Sequence, residues 1–247
     1  FHVAKEQGRS RYVIAESFVT GYDHRMLVVN NELIAVAKRV PGHVVGDGKR
    51  SIAELVEIVN SDPRRGIGHE KVLTRLELDG QAKRLMDDAG YSEKTVLKKD
   101  EVFFLRSTAN LSTGGTAIDL TDVVHPDNRE MAVRAVRAVG LDIGGVDFIT
   151  EDITKSYKEG NGIICEVNAA PGFRMHVAPS DGESRDVAGA VLDMLFPPGT
   201  PSRIPIASIT GTNGKTTVTC MVAHIFKMAR HSVGVATTDG VYIDGQL

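Results

Sequence analysis

The sequence predicts an α/β chain in two parts joined by a short linker. Three observations carry this. Over the first 196 residues, runs rich in β-branched and apolar residues alternate with stretches of helical spacing. Phe196-Pro-Pro-Gly-Thr-Pro201 then places three prolines within five residues, which neither a helix interior nor a central strand accommodates. Beyond it an apolar run, a glycine-rich turn, an amphipathic stretch and a second apolar run follow in the order of a βαβ unit. The expected boundaries are 1–196 for the first part, 197–202 for the linker and 203–247 for the start of the second.

Tyr12 to Val19, Arg25 to Asn30 and Leu33 to Val40 read as strands, with Asn30-Asn31 as a hairpin turn between the last two. Ser51-Ile-Ala-Glu54 is a capping box opening a helix to about Asn60. Glu77 to Ala89 has helical spacing and stops at Gly90. Val102 to Arg106 is a short strand, and Thr108 to Thr116 a small, polar loop around Gly114-Gly115. Pro126 falls in the first turn of a helix running to Val139, with Gly140 as its stop. Gly145 to Thr150 and Ile163 to Asn168 read as strands, and Ser184 to Phe196 as a helix. In the second part, Arg203 to Ile209 is expected as a buried strand, Lys215 to about Ala229 as a helix and Ser232 to Ala236 as the next strand.

A 42 % apolar and 25 % charged composition is that of a soluble globular protein, which excludes disordered, fibrous and coiled classes. Net charge is −3, and the one close group of bases, Lys38, Arg39, Lys49 and Arg50, is interrupted by Asp47 and glycines; nucleic acid is not the expected partner. Cys165 and Cys220 lie far apart in apolar runs, which argues for a reduced, cytoplasmic setting over a disulfide framework. No apolar stretch approaches a membrane span. With Phe1 at one end and Leu247 just past Asp244-Gly245 at the other, the chain reads as an internal fragment.

The sharpest motif is Thr210-Gly-Thr-Asn-Gly-Lys-Thr-Thr217, between an apolar run and a helix. Glycines let backbone N–H groups close around phosphate oxygens, and a helix N-terminus adds free N–H groups and the positive end of its dipole. Gly211, Thr212, Asn213 and Gly214 would form the cradle, Lys215 would reach the β/γ-phosphates of ATP, and Thr216, beside Thr217, would offer its hydroxyl to Mg2+. Ile209 stands where the longer phosphate-loop pattern has its first glycine. The shortened form resembles the Mur ligase family, which couples a carboxylate, activated as an acyl phosphate, to an amine. Thr237-Thr-Asp-Gly-Val-Tyr-Ile-Asp-Gly245 is similar to that family too.

A second constellation is spread wider. Asp147 lies in Gly-Val-Asp-Phe-Ile, and Glu166 and Asn168 in Ile-Ile-Cys-Glu-Val-Asn. Residues i and i+2 of a strand share a face. Glu166 and Asn168 are therefore expected to point together, with Ile163, Cys165 and Val167 turned into a core. If the strands pair antiparallel, Asp147 joins the polar face. Two carboxylates and an amide oxygen are hard ligands suited to Mg2+ between ATP phosphates; any one alone reads equally as a solvated strand face. Together, with Ala169-Ala-Pro-Gly172 behind them, they resemble the acidic hairpin of the ATP-grasp family. That resemblance implies an α+β domain with an antiparallel sheet, and Asp147, Glu166 and Asn168 as metal ligands. Ile14-Ala-Glu-Ser-Phe-Val19, with Gly21 and Asp23, resembles the family's hinge strand. In that reading Glu16, Phe18 and Val19 face adenine and Asp23 takes the ribose hydroxyls. Asp23 departs from the more frequent Glu, implying a shorter reach.

Lys38 and Arg39 read equally as contacts to phosphate or a substrate carboxylate and as a solvated hairpin edge. Arg106 suits a bidentate grip on an acyl phosphate or carboxylate. Asn110, Ser112, Thr113 and Gly114 form a candidate substrate loop, and His176 reads as readily structural as functional. An ATP-grasp segment running directly into Gly-Thr-Asn-Gly-Lys-Thr-Thr resembles the cyanophycin synthetase family, as do Val44-Val-Gly-Asp-Gly48, Asn110-Leu-Ser-Thr-Gly-Gly115 and Val124-His-Pro126. This implies an ATP- and Mg2+-dependent amide ligase, cytoplasmic and homo-oligomeric, with no nucleic acid or membrane partner. It would extend a primer of cyanophycin, adding L-aspartate at the ATP-grasp site and L-arginine at the Mur-like site. A glutathione-synthetase-like ligase, a related primer-extending ligase whose Mur-like site is inactive and a non-catalytic nucleotide-binding module are the rival readings.

Overall fold

The computed structural model describes residues 12, 18–68, 70–160 and 162–246. Residues 13–17 of the expected first strand, Glu16 among them, lie outside the described residues. The chain forms two compact units, which divide after Pro198.

The elements of the first unit are strands β1 (Tyr22–Val29), β2 (Glu32–Val40) and β3 (His43–Val45), helix α1 (Ile52–Asn60), the two-residue strands β4 (Arg65–Gly66) and β5 (Leu73–Thr74), helix α2 (Gly80–Asp88), strands β6 (Val102–Phe104) and β7 (Thr116–Asp119), helix α3 (Pro126–Ala138), strands β8 (Ile143–Thr150) and β9 (Ile163–Asn168), and helices α4 (Arg174–Val177) and α5 (Val187–Leu195). Five strands pair antiparallel in the order β7-β2-β1-β8-β9. The β1–β2 turn is the expected one: Asn30 and Asn31 both have positive φ, 49° and 65°, as a two-residue hairpin turn requires and asparagine tolerates.

Alternation along the strands gives the sheet two working faces. Met26, Val28, Val36, Val146 and Phe148 pack on one face with Ala132 and Val136 of α3. On the other, Leu27, Val29 and Ala35 meet Val187 of α5, while Ala37 and Ala117 meet Leu111 and Met175. Each such large apolar side chain contributes about 1.5–3 kcal/mol by leaving water. A separate small core joins α1, α2, β3 and β6 through Val44, Ile52, Leu55, Leu76, Met86 and Leu105.

Local signals set the helix starts. Ser51 caps α1 in a complete capping box, its hydroxyl accepting from Glu54 N and the Glu54 carboxylate from Ser51 N. Helix α2 begins later than its spacing predicts, because Asp79 accepts from the N–H groups of Gln81 and Ala82 and so fixes the N-cap. His125 caps α3 ahead of Pro126, accepting from Asp127 N.

The second unit contains helix α6 (Lys215–Met228) and a hairpin of β10 (Gly234–Thr237) and β11 (Gly240–Ile243). The strand expected over Arg203 to Ile209 is not formed: Ile204 and Ile206 are 78 % and 85 % exposed, and no described strand pairs with the segment. A strand without a neighbour leaves its ladder unpaired and its apolar side chains wet.

Candidate functional site

Antiparallel pairing of β8 and β9 puts Asp147 directly opposite Glu166 and Gly145 opposite Asn168. The three expected ligands therefore share one face, the one carrying α5. The core side of β9 differs from expectation. The register shifts between Asp147 and Phe148, so that the Cα pairing steps from Glu166 to Ile164 and Cys165 is an extra residue in β9. This β-bulge reverses the alternation on its far side. Ile164 and Val167 pack against the core, while Ile163 and Cys165 are exposed.

Asp147 is held by two arginines. Arg25, its neighbour across β1–β8, donates from Nε to Oδ1 at 2.5 Å and from Nη2 to Oδ2 at 3.2 Å. Arg39 reaches over β1 to give Asp147 Oδ2 a bond of 2.8 Å. The same guanidinium forks onto Asp23, with Nη2 at 2.6 and 2.7 Å from its two oxygens. Arg25, Arg39 and Asp147 are buried and Asp23 half-buried. Burial, with Asp147 nearby, holds the Asp23 carboxyl above the usual aspartate range despite Arg39. Burial alone would loosen the Arg39 proton, but Asp23 and Asp147 more than offset it.

Several expected roles change with this geometry. Asp23 accepts from Arg39 through both oxygens, so a ribose would have to share its carboxylate with that guanidinium. Lys38 alternates onto the opposite face from Arg39, with its ammonium 3.2 Å from the centre of the Tyr22 ring. Arg106, 4 % exposed, is spent on structure: it donates to the carbonyls of Leu105 and Glu77 and to Asp79, the cap of α2. Arg25 was not among the expected site residues; the sequence shows it only as a cation just ahead of the apolar run Met26–Val29, and the pairing with Asp147 emerges from the β1–β8 register.

The loop of Asn110, Ser112, Thr113 and Gly114 closes tightly on itself, the Asn110 carbonyl accepting from Thr113 N, Thr113 Oγ1 and Gly115 N. Leu111 anchors it beside Ala37, which neighbours Arg25 across the strands, so the loop lies on the same sheet face as the charge cluster. Met175 shares that anchor, and the next residue, His176, is 1 % exposed with neither ring nitrogen partnered among the described residues. Burial, reinforced by Arg25 and opposed by Asp119, pushes its pKa down to about 4. Phe18 and Val19 line a cavity of about 420 Å3 with Thr20, Gly162 and Ile163 at the start of β9.

The donor set fits a hard cation. Glu166 is exposed with no partner among the described residues, and the side-chain nitrogen of Asn168 is buried without one. An amide can present its oxygen instead by a half-turn. Among the described residues no three His, Cys, Asp or Glu side chains cluster, so any metal there would rest on two carboxylates and an amide.

In the second unit Gly211 and Gly214 have φ of +152° and +75°, which side chains other than glycine rarely adopt. Gly214 leaves α6 without a side-chain cap, so its first N–H groups stay open to an anion. Lys215 folds back on the loop, donating to the carbonyls of Gly211 at 2.8 Å and Thr212 at 3.3 Å. Thr212, Asn213 and Thr217 are at the surface, and Thr216 is half-buried.

Residues 104–194 match the RimK-like ATP-grasp domain, and residues 209–246 the Mur ligase middle domain. The chain is 56 % identical over 243 residues to cyanophycin synthetase of Crocosphaera subtropica and 54 % identical over 244 residues to that of Synechocystis, covering 98 % and 99 % of this chain. The chain belongs to the cyanophycin synthetase family. It spans 28 % of the length of either of these relatives. A glutathione biosynthesis bifunctional protein of Clostridium perfringens is 37 % identical over 74 % of this chain and 24 % of its own length. The crystal structure of a bifunctional glutathione synthetase from Pasteurella multocida has the same fold, with a TM-score of 0.64 and 35 % identity over 73 % of this chain and 25 % of that one. The mixed α/β architecture with an antiparallel sheet is thus shared with that solved structure.

Proposed function

We propose that the parent protein makes cyanophycin: an ATP-grasp site containing Asp147, Glu166 and Asn168 adds L-aspartate to a backbone carboxylate, and a Mur-like site containing Lys215 and Thr216 adds L-arginine to the aspartate side chain. The observation that carries this is the junction itself. ATP-grasp and Mur ligase segments follow one another in a single chain that aligns with cyanophycin synthetases from end to end. A glutathione-type ligase leaves residues 209–246 without a use.

ATP bound with Mg2+ supplies the phosphoryl group that turns a carboxylate into an acyl phosphate. The chain's own residues position and neutralise charge. Glu166 and Asn168, with the outer lone pairs of Asp147, would hold the metal. Arg25 and Arg39 would steady anionic oxygens at the reacting carboxylate, and Phe18 and Val19 would flank adenine. Ser112 and Thr113 would bind the acceptor chain. At the second site the open N–H groups of α6 and the Lys215 ammonium, released from its two carbonyls, would take phosphate oxygens.

The full-length protein with ATP, a primer, aspartate and arginine should yield acid-insoluble polymer that requires both amino acids. Phosphate release without incorporation of either would sink the assignment. Lys215→Ala should abolish arginine addition yet spare aspartate addition to a prepared acceptor, and Glu166→Gln should do the reverse. Equal loss of both steps in either variant would contradict two separate sites.

A further inference from the structure

A cavity of about 290 Å3 opens between α1 and the back of the Asn110–Gly115 loop. Val45, Leu55, Ile58 and Val59 make an apolar wall, and Gly114 belongs to the opposite side. Its one fixed cation is Arg65, which is nine-tenths buried. The Arg65 guanidinium is only partly used: Nη1 donates to the carbonyls of Thr74 at 2.5 Å and Gly114 at 3.1 Å. Nε and Nη2 have no partner among the described residues, and no described carboxylate bonds this side chain. Burial lowers its pKa, reinforced by Arg64 and only partly opposed by Asp62. Neither nitrogen is among the fully enclosed polar atoms left without a partner, so both remain reachable, and a largely buried cation with two idle donors beside a cavity gains from an anionic group. The planar fork of a guanidinium matches a carboxylate in particular.

We propose that this cavity is a binding site for a carboxylate carried on a short aliphatic body. The carboxylate would lie on Nε and Nη2 of Arg65, and the aliphatic part against Leu55, Ile58 and Val59. The volume sits at the small end of ligand pockets, which limits the body to a few carbons. Occupancy would be felt at the front of the loop. Arg65 holds Gly114 O, and Gly114, at φ +95°, lies so close to Leu76 that an added Cβ would stand 2.4 Å from Leu76 Cδ2. The Leu76 backbone is in turn clamped by the Asn60 amide, which donates to its carbonyl at 2.9 Å and accepts from its N–H at 2.8 Å. Ligand, Arg65, Leu76 and the candidate substrate loop therefore form one contact chain.

The site is independent of the proposed reaction and is tested by direct binding to the full-length protein. The probe is 6,6,6-trifluorohexanoate, followed by fluorine NMR line broadening, with trifluorohexanol as the uncharged control. Broadening of the acid but not the alcohol is expected. Arg65→Met should weaken binding by about tenfold or more, the scale of one lost charged contact. Ile58→Glu alters a half-exposed helix position at the mouth and should weaken it similarly by like-charge repulsion with the fold intact by circular dichroism, so the test stands even if Arg65→Met unfolds. No broadening with the wild type at millimolar probe, equal binding of acid and alcohol, or undiminished binding to a folded Ile58→Glu would each overturn the site.

Discussion

The two units assemble their candidate chemistry by opposite means. In the first, Asp23, Arg25, Arg39 and Asp147 come from three strands, and buried side chains hold one another. In the second, Gly211 to Thr217 is one continuous stretch, exposed but for the half-buried Thr216, and no residue of α6 is buried. A site built by tertiary contact binds its stability to its chemistry. A site built by a local backbone turn leaves the two separable.

Substitution at the central cation should expose that difference most strongly. Arg39→Met strands the Asp23 carboxylate and half-strands Asp147 in a buried setting, and should lower unfolding free energy by about 3–5 kcal/mol in urea titrations. Lys215→Met removes only two bonds to exposed loop carbonyls and should leave the melting temperature unchanged. Comparable losses in both variants would erase the contrast.

Acid should act on the first unit through its buried histidines. Burial pushes both His24 and His176 down to about 4, below the 6.5 of an unfolded histidine. The folded state therefore binds fewer protons between these values. Their contribution is complete above about pH 6.5 and is lost as pH falls toward 4, by roughly 3 kcal/mol per ring at most. His176→Asn should flatten the slope of stability against pH across that window. An unchanged slope would mean that His176 does not stay neutral in the folded protein.

The smallest effect concerns a local device in the first unit. Ser51→Ala removes one hydroxyl acceptor at the start of α1 and should cost about 1 kcal/mol. Helix α6 has no side-chain cap to lose, so inorganic phosphate should raise protection of its first amides in hydrogen exchange. Full protection without phosphate would show that those N–H groups are already satisfied.

What could be read from the sequence followed the same division. The Asn30-Asn31 turn, the Ser51 capping box and the glycine turn ahead of α6 are contiguous, and each residue's conformation is set by its near neighbours. The sharing of one face by Asp147, Glu166 and Asn168 was also legible, because strand parity and antiparallel pairing suffice. Arg25 and the commitment of Asp23 to Arg39 were not, since both depend on which strands become neighbours. Arg106 misled because a cation beside a small polar loop looks the same in sequence whether it faces a ligand or the cap of α2. The 203–209 run carries the composition of a strand, but a strand is completed only by a partner.

The extra residue at Cys165 divides β9 into two segments read in opposite phase. Glu166 to Asn168 take their frame from Gly145 to Asp147, whereas Ile163 and Ile164 take theirs from Phe148 and Ile149. A one-residue insertion or deletion upstream of the bulge can therefore be absorbed there, by gaining or losing the extra residue. The bulge works as a slip joint, uncoupling length changes in the preceding connection from the orientation of the carboxylate and amide.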